Sequence, residues 1–212
     1  MMLIGQYDSP FVRRVGIALT TYGLAFEHQT WSTFGDAAAI ATFNPLRRVP
    51  TLVLDDGVVL VESLAILEAL DEMVGPAAAT LARTGPARRE LLRISGFAAG
   101  AAEKAVSLLY ERVLREAALP MWVERCRAQV IETLDLLEAE RAKRTSLYLF
   151  DDRLSHADVI LATMARFISE PLADEFDWAR WPALKAHATR CEALPVFQAI
   201  SQPFSPPNSG ER

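Results

Sequence analysis

The chain has 212 residues, of which 51% are hydrophobic, enough to build one large domain or two modest domains with separate cores. Its formal charge of −5 and pI near 5.3 argue against nucleic acid or an anionic membrane surface as the main partner, because such surfaces attract clustered Lys and Arg. The sequence contains no run of about 18 apolar residues and no basic start, so it predicts neither a membrane span nor an export signal. We therefore expect a cytoplasmic protein.

The two cysteines, Cys126 and Cys191, and the three histidines are scattered along the chain without a CxxC motif or the spacing of a metal-ligand set. We therefore expect neither a zinc site nor a disulfide framework. Cys126 falls on the apolar seam of a predicted helix, which indicates a core residue.

The first 31 residues predict a strand, a helix and a second strand. Residues 2–7 form a short apolar stretch, and residues 24–31 alternate like a strand after Gly23, a residue that often ends helices. Between them, apolar residues recur at the spacing of one helical face: Phe11, Val15, Ala18, Leu19 and Tyr22.

The clearest local signal is a β-hairpin. Two apolar runs, residues 51–54 and 58–61, flank an Asp56-Gly57 pair, and Asp-Gly favours a tight turn because both residues tolerate positive φ. A helix with an apolar stripe follows and is predicted to end at Gly75-Pro76. These elements give a βαβ–ββα order, which predicts an α/β thioredoxin-like domain over residues 1–76.

From Pro86 onward the pattern is helical, with Pro86 itself in a first-turn position. Residues 120–143 carry an apolar seam at three- and four-residue steps: Val123, Cys126, Val130, Leu134 and Leu137. We predict an all-α helical-bundle domain over residues 86–203. The closing stretch, residues 201–212, is rich in Pro, Ser and Gly and is expected to be loose.

Two Ser-containing pairs stand at predicted helix starts. Ser9 is either a helix cap with Pro10 in the first turn, or a hydroxyl that joins the helix dipole in stabilising a neighbouring anion. Ser63 is likewise either a cap or, together with Glu62, a binder of a ligand carboxylate and ammonium.

A third pair, Val49-Pro50, leads into the first hairpin strand, and alone it favours no specific role. At one edge of a thioredoxin-like sheet, however, the three pairs meet. Together they indicate a pocket for a small peptide.

Two long motifs resemble the glutathione transferase superfamily, and the resemblance covers almost the whole chain. "NPLRRVPTLVLDDGVVLVESLAILEALDE" is similar to that family's order of Asn-Pro, Val-Pro, hairpin, Glu-Ser and helix. "LSHADVILATMARF" is similar to its capping box, with Ser155 as N-cap and Asp158 three residues later, which is a folding element rather than part of an active site.

The resemblance implies a role for each residue of the three pairs. Ser9 falls on the catalytic serine or cysteine position, Pro50 on a cis-proline, and Val49 on the residue whose backbone pairs with the cysteinyl part of glutathione. Glu62 and Ser63 fall on the binders of the γ-glutamyl group. "SPFV" also resembles a Cys-Pro-Phe-Cys motif with both cysteines replaced, which removes any dithiol redox cycle from this site.

Two positions leave alternatives open. Arg47-Arg48 stand where the family often has Gly-Lys, so Arg48 either contacts the glycyl carboxylate or that contact is absent. Other classes activate the thiol with a tyrosine at the end of the first strand, which makes Tyr7 the rival of Ser9. We favour Ser9 because a turn before a helix needs a small polar residue.

The resemblance implies a homodimeric glutathione transferase. Glutathione would be the co-substrate, its thiol activated for attack on a small electrophile held against the helical domain near Tyr110 and Trp122. Two alternatives use the same architecture: a glutathione-dependent isomerase or dehalogenase, and a non-enzymatic interaction module.

Overall fold

The computed structural model describes residues 1–206, which form two compact units. The first unit contains Met1–Ala82 together with residues 194–206, and the second contains Arg83–Ala193. The strands are β1 (Met2–Ile4), β2 (Glu27–Gln29), β3 (Thr51–Val53) and β4 (Val59–Val61). The α-helices are α1 (Pro10–Thr21), α2 (Ala37–Ala41), α3 (Ser63–Val74), α4 (Gly85–Leu114), α5 (Pro120–Ala142), α6 (His156–Ser169), α7 (Pro182–Glu192) and α8 (Pro195–Ala199).

The first unit is built on a four-stranded mixed sheet in the order β2-β1-β3-β4. Strand β1 pairs in parallel with β2 and antiparallel with β3, so that Leu3 lies opposite both His28 and Leu52. Helix α1 contacts β1 and α3, and α3 contacts β4. This arrangement confirms the predicted thioredoxin-like unit, with a core that includes Leu3, Ile4, Val15, Ile17, Leu52, Ile66 and Leu70.

The β3–β4 hairpin is confirmed, but its turn differs from the prediction. The turn closes through the Gly57 N–H, which donates to the Leu54 carbonyl at 3.0 Å, and Gly57 has a φ of 88°. Asp56 has no positive φ, and its carboxylate accepts the Val58 N–H at 3.0 Å. The connection is therefore longer than a two-residue turn, and each strand is one residue shorter than expected.

The second unit is wholly helical, as predicted. Helix α4 packs against α5 and α6, and α6 packs against α7. Helix α6 is buried along nearly its whole length. It begins with a reciprocal capping box, in which the Asp158 carboxylate accepts the Ser155 N–H at 2.8 Å and the Ser155 hydroxyl accepts the Asp158 N–H at 3.5 Å. Cys126 is fully buried, which confirms its place in the core.

The boundary between the units lies elsewhere than the expected helical range of 86–203. Residues 194–203 pack with the first unit, because α8 contacts α1 and the Arg13 side chain holds one carbonyl within α8 and one directly after it. Arg13 donates to the Ile200 and Phe197 carbonyls at 2.8 and 2.9 Å. The expected loose stretch is described only as far as residue 206, and residues 207–212 lie outside the described residues.

Candidate functional site

Ser9 caps helix α1, as one of its two interpretations predicts. Its side-chain oxygen accepts the Val12 N–H at 3.4 Å, and Pro10 is the first helical residue. Because a hydroxyl can accept and donate at once, this long cap bond leaves the Ser9 proton to donate to an anion at the positive end of the helix. Capping and anion stabilisation are therefore compatible in Ser9.

A glycine brings the start of α1 against the Val49-Pro50 pair. Gly5 has a φ of 127°, and a Cβ at this position would lie 2.5 Å from Cγ2 of Val12 and 2.8 Å from Cβ of Val49. Only a residue without a side chain fits between the two valines. The Val49–Pro50 peptide bond is cis, in agreement with the resemblance.

Glu62 lies at the junction between β4 and α3 with an unusual backbone. It occupies the N-cap position of α3, its φ is 66°, and its side chain makes no capping bond. Arg48 Nη1 pairs with Glu62 Oε1 at 3.0 Å, and more than half of each side chain is exposed. A non-glycine residue at positive φ stores backbone strain, which is common in binding sites.

Ser63 is the first residue of α3 rather than its cap, which corrects one of the two interpretations of this serine. Its hydroxyl accepts a hydrogen bond from Arg14 Nη2, and both residues are only 3% exposed. The Arg14 guanidinium also lies 5.0 Å from the centre of the Phe11 ring. The Ser63 hydroxyl keeps its own proton for another acceptor, with a buried positive charge behind it.

Arg14 is the residue that sequence reasoning missed. The structure buries every residue of α1 from Val12 to Leu19, including both arginines, although the sequence pattern indicated a single apolar face. A charged residue inside such a helix must find a polar partner in the interior. The two arginines have different polar partners: Arg13 donates to a backbone carbonyl next to α8, and Arg14 donates to the Ser63 hydroxyl.

These contacts, together with the bonds between chain neighbours, connect the three predicted pairs into one set of residues, which we call the contact circuit. It runs from Ser9 to Val12, through Gly5 to Val49, and then from Arg48 to Glu62, Ser63 and back to α1 at Arg14. Asn44 supports it from behind, donating to the Arg48 carbonyl and the Thr51 hydroxyl, each at 3.0 Å. All six residues of the three predicted pairs, together with Arg48, therefore belong to one region of the first unit.

Tyr7 occupies a different environment. The sequence suggested that Tyr7 is the last residue of the first strand. Strand β1 ends at Ile4 instead, and Tyr7 lies in the turn that follows. Its ring stacks on His28 at 3.8 Å, and a Cβ on Gly16 would lie 2.8 Å from its Cε1. Burial raises the pKa of the Tyr7 hydroxyl to about 12. This phenol therefore stays protonated at neutral pH, so it would act on a thiolate as a hydrogen-bond donor and not as a base.

The helical unit contains a pocket of its own, with a volume of about 370 Å³. Three apolar side chains and three charged side chains line it: Leu119, Met121, Trp122, Glu111, Arg115 and Arg125. Trp122 was expected near a substrate pocket, and Tyr110 is not among the lining residues. The Arg115 Nε pairs with Glu111 at 3.0 Å.

The part of the chain that the structure describes contains neither a metal-ligand cluster nor a membrane-spanning helix. Within residues 1–206, no three His, Cys, Asp or Glu side chains are placed to hold a metal ion. Across the same part of the chain, no helix has the length and apolarity needed to cross a membrane.

A thioredoxin-like sheet followed by a helical unit that contains an α6 capping box defines a known class of two-unit proteins. The chain belongs to the glutathione S-transferase family: residues 8–73 match the model of that family's N-terminal domain, and residues 120–190 match the model of its C-terminal domain.

Three relatives illustrate the similarity. The chain is 33% identical over 167 residues to the GST-like protein YibF of Escherichia coli, which covers 78% of each chain. It is 27% identical to the maleylacetoacetate isomerase of Pseudomonas aeruginosa, covering 97% of this chain and 99% of the relative. A solved glutathione S-transferase of Methylobacterium radiotolerans, in complex with glutathione sulfonate, is 28% identical and superposes with a TM-score of 0.88 over 98% of this chain and 97% of the other.

Proposed function

We propose that this protein is a glutathione-dependent enzyme that binds glutathione in its first unit and activates the thiol for attack on a small electrophile. The contact circuit from Ser9 through Val49 and Glu62 to Ser63 is the observation that carries the proposal. The solved M. radiotolerans relative, which has glutathione sulfonate bound, supports it.

Glu62 and Ser63 would bind the γ-glutamyl end of glutathione. The exposed Glu62 carboxylate accepts from the ligand ammonium, and the Ser63 hydroxyl donates to the ligand α-carboxylate. The buried Arg14 strengthens the second contact, because its positive charge lies directly behind the Ser63 oxygen. This end of the site therefore matches both charges of the γ-glutamyl group.

Val49 and Arg48 would bind the rest of the tripeptide. The Val49 backbone pairs with the cysteinyl part, next to the cis peptide bond that precedes Pro50. Arg48 contacts the glycyl carboxylate while it retains or exchanges its pair with Glu62. Because Arg48 is more than half exposed, its contribution to affinity is small.

Ser9 would stabilise the thiolate. An unperturbed thiol with a pKa of about 8.5 is only about 3% ionised at pH 7. Lowering that pKa by about two units corresponds to roughly 2.7 kcal/mol of preferential anion binding. A hydroxyl bond to a charged acceptor contributes about 1.5–3 kcal/mol, and the N-terminus of α1 adds a favourable dipole.

Glutathione conjugation and glutathione-dependent isomerisation both begin from this thiolate. We favour conjugation as the primary activity. The similarity to maleylacetoacetate isomerases over nearly the full length of both chains supports isomerisation as the second candidate. The two differ in stoichiometry, because conjugation consumes glutathione and isomerisation returns it.

We also propose that the protein is a homodimer. Each unit exposes large apolar side chains on a helix: α3 exposes Leu64 and Met73, and α4 exposes Leu92 and Phe97. Exposed apolar surface of this kind is typical of a subunit whose interface is covered by a second copy.

The proposal is tested by measuring turnover of a panel of electrophiles in the presence of glutathione. Because the helical pocket combines apolar and cationic side chains, the panel includes aromatic halides, enones and unsaturated carboxylates with a cis double bond. We expect turnover with at least one class, and thiol titration before and after reaction separates conjugation from isomerisation. No turnover and no glutathione-dependent thermal shift would contradict the proposal.

A further inference from the structure

The segment after α8 returns to the loop that precedes Ser9. We call residues 200–206 the C-terminal strap. The Tyr7 N–H donates to Gln202 Oε1 at 3.2 Å, and the Ser205 N–H donates to Asp8 Oδ2 at 3.1 Å. The two residues directly before Ser9 are therefore both bonded to the strap.

The strap is anchored in the core at its beginning. The Arg13 guanidinium, only 2% exposed, donates to the Ile200 carbonyl at 2.8 Å and to the Phe197 carbonyl at 2.9 Å. Gly16 allows close packing there, because a Cβ on it would lie 2.9 Å from Cγ2 of Ile200. A strap fixed at Ile200 carries Gln202 and Ser205 to defined positions against the loop.

The loop needs this support because its own bonds are long. The Ser9 N–H donates to the Gln6 carbonyl at 3.2 Å, and the cap bond from Val12 to the Ser9 hydroxyl measures 3.4 Å. Bonds of this length are weaker than the usual 2.9–3.0 Å. The direction of the Ser9 hydroxyl therefore depends on how firmly residues 7 and 8 are held.

We propose that Gln202 is a positioning residue for thiol activation: by accepting the Tyr7 N–H it fixes the loop that aims the Ser9 hydroxyl at the glutathione sulfur. This inference rests on the proposed function of Ser9. Gln202 contacts the loop backbone, so it acts through Ser9 and is not itself catalytic. Asp8 completes the arrangement, since its carboxylate accepts the Ser205 N–H on the other side of the loop.

Gln202→Met tests the proposal, because methionine keeps the length of the side chain and removes the acceptor. Gln198→Met is the matched control, the same substitution at an exposed position of α8. Without glutathione, we expect the Tyr7 amide to exchange about fivefold to tenfold faster in Gln202→Met, the effect of losing one hydrogen bond. Gln202→Glu retains an oxygen acceptor and is expected to restore the protection.

With glutathione, we expect Gln202→Met to raise the pKa of the bound thiol and to lower kcat/KM at neutral pH about threefold to tenfold. Affinity for S-methylglutathione, which has no thiol, is expected to be unchanged. A merely structural strap would alter stability or affinity without moving the thiol pKa.

Two results would overturn the inference: an unchanged Tyr7 exchange rate in Gln202→Met, or faster exchange with an unchanged thiol pKa. Failure of the proposed function is recognised separately, because the wild-type protein would then form no thiolate with glutathione. In that case the positioning role of Gln202 is refuted as well. The Tyr7 exchange rate still shows whether the hydrogen bond from Tyr7 to Gln202 holds the loop.

Discussion

Arg48 and Glu62 pair with each other, Nη1 to Oε1 at 3.0 Å, although both are expected to contact glutathione. An exposed pair of this kind contributes at most about 1 kcal/mol, so it does not block the ligand ammonium from reaching Glu62. The pair therefore holds the two side chains near each other at little energetic cost to binding.

The Glu62-Ser63 pair is expected to matter more for glutathione binding than Arg48, because Ser63 is buried against Arg14 whereas the Arg48 and Glu62 side chains are both more than half exposed. Glutathione at about 100 times its dissociation constant stabilises the protein by about 2.7 kcal/mol, and Glu62→Ala combined with Ser63→Ala is expected to abolish the corresponding rise in melting temperature. Arg48→Ala is expected to weaken binding by no more than about fivefold, measured by calorimetry. A larger loss of affinity in Arg48→Ala than in the Glu62→Ala, Ser63→Ala double variant would reverse the assignment.

Ser9→Ala is expected to raise the pKa of the bound thiol while leaving glutathione affinity nearly intact. The rate at neutral pH is expected to fall roughly tenfold to a thousandfold, since a charged-acceptor bond of about 1.5–3 kcal/mol is lost together with some positioning. Ultraviolet titration of the bound thiolate measures the shift.

Tyr7→Phe is the control, and because the half-buried Tyr7 ring is stacked on His28, we expect this variant to have little effect on the thiol. If the thiol pKa rises in Tyr7→Phe and is unchanged in Ser9→Ala, the tyrosine is the activating residue. If Ser9 is only a cap, Ser9→Ala costs about 1 kcal/mol of stability and leaves the thiol unchanged.

The adjacent arginines of α1 are expected to separate binding from stability. Arg14→Lys keeps the charge but loses the planar fork that reaches Ser63, so the dissociation constant of S-methylglutathione is expected to rise about fivefold. Arg13→Lys loses the contacts to two carbonyls and is expected to lower stability by about 1–3 kcal/mol with little change in that constant. Equal effects of the two variants on ligand binding would refute the separation.

Asp158→Ala is expected to destabilise the helical unit by about 3–5 kcal/mol. Asp158 is fully buried and accepts the N–H groups of Ser155 and Leu149 at 2.8 Å each, and His187 Nε2 lies 3.2 Å from it. Urea denaturation followed by tryptophan fluorescence measures the loss. Asp152→Ala removes an exposed acceptor from the same loop and is expected to cost less than about 1 kcal/mol.

The homodimer proposal predicts a mass near twice 23.4 kDa by light scattering at micromolar concentration. Replacing Phe97 with Glu would place a charge among the exposed apolar side chains of α4 and is expected to shift the protein toward monomer. A wild-type mass near 23.4 kDa would contradict the proposal.

The features that sequence predicted well are those encoded by neighbouring residues. Gly75 ends α3 by donating to carbonyls of its last turn, Pro86 lies in the first turn of α4, and Ser155 with Asp158 caps the start of α6. Helix ends are set by local backbone groups that need partners, so a short motif suffices to place them.

The features that sequence missed depend on distant partners. Arg14 and its partner Ser63 are 49 residues apart in sequence. Arg13 is 184 residues from Phe197 and 187 residues from Ile200. No local pattern encodes such a meeting, and residues 200–206 have the composition of a loose tail. The three pairs of the proposed site were predicted from their motifs, whereas the groups that contact them from distant parts of the chain were found only in the three-dimensional arrangement.

The return of α8 to the first unit has a consequence for biosynthesis. Residues 83–193 are synthesised before Phe197 and Ile200, so the Arg13 guanidinium has neither of these two carbonyl acceptors until the whole helical unit has been made. The first unit therefore completes the contacts of Arg13 only after the second unit has been synthesised. A fragment that stops at Ala82 would therefore keep the Arg13 guanidinium in its interior without the Phe197 and Ile200 carbonyls, which is costly for a buried charge.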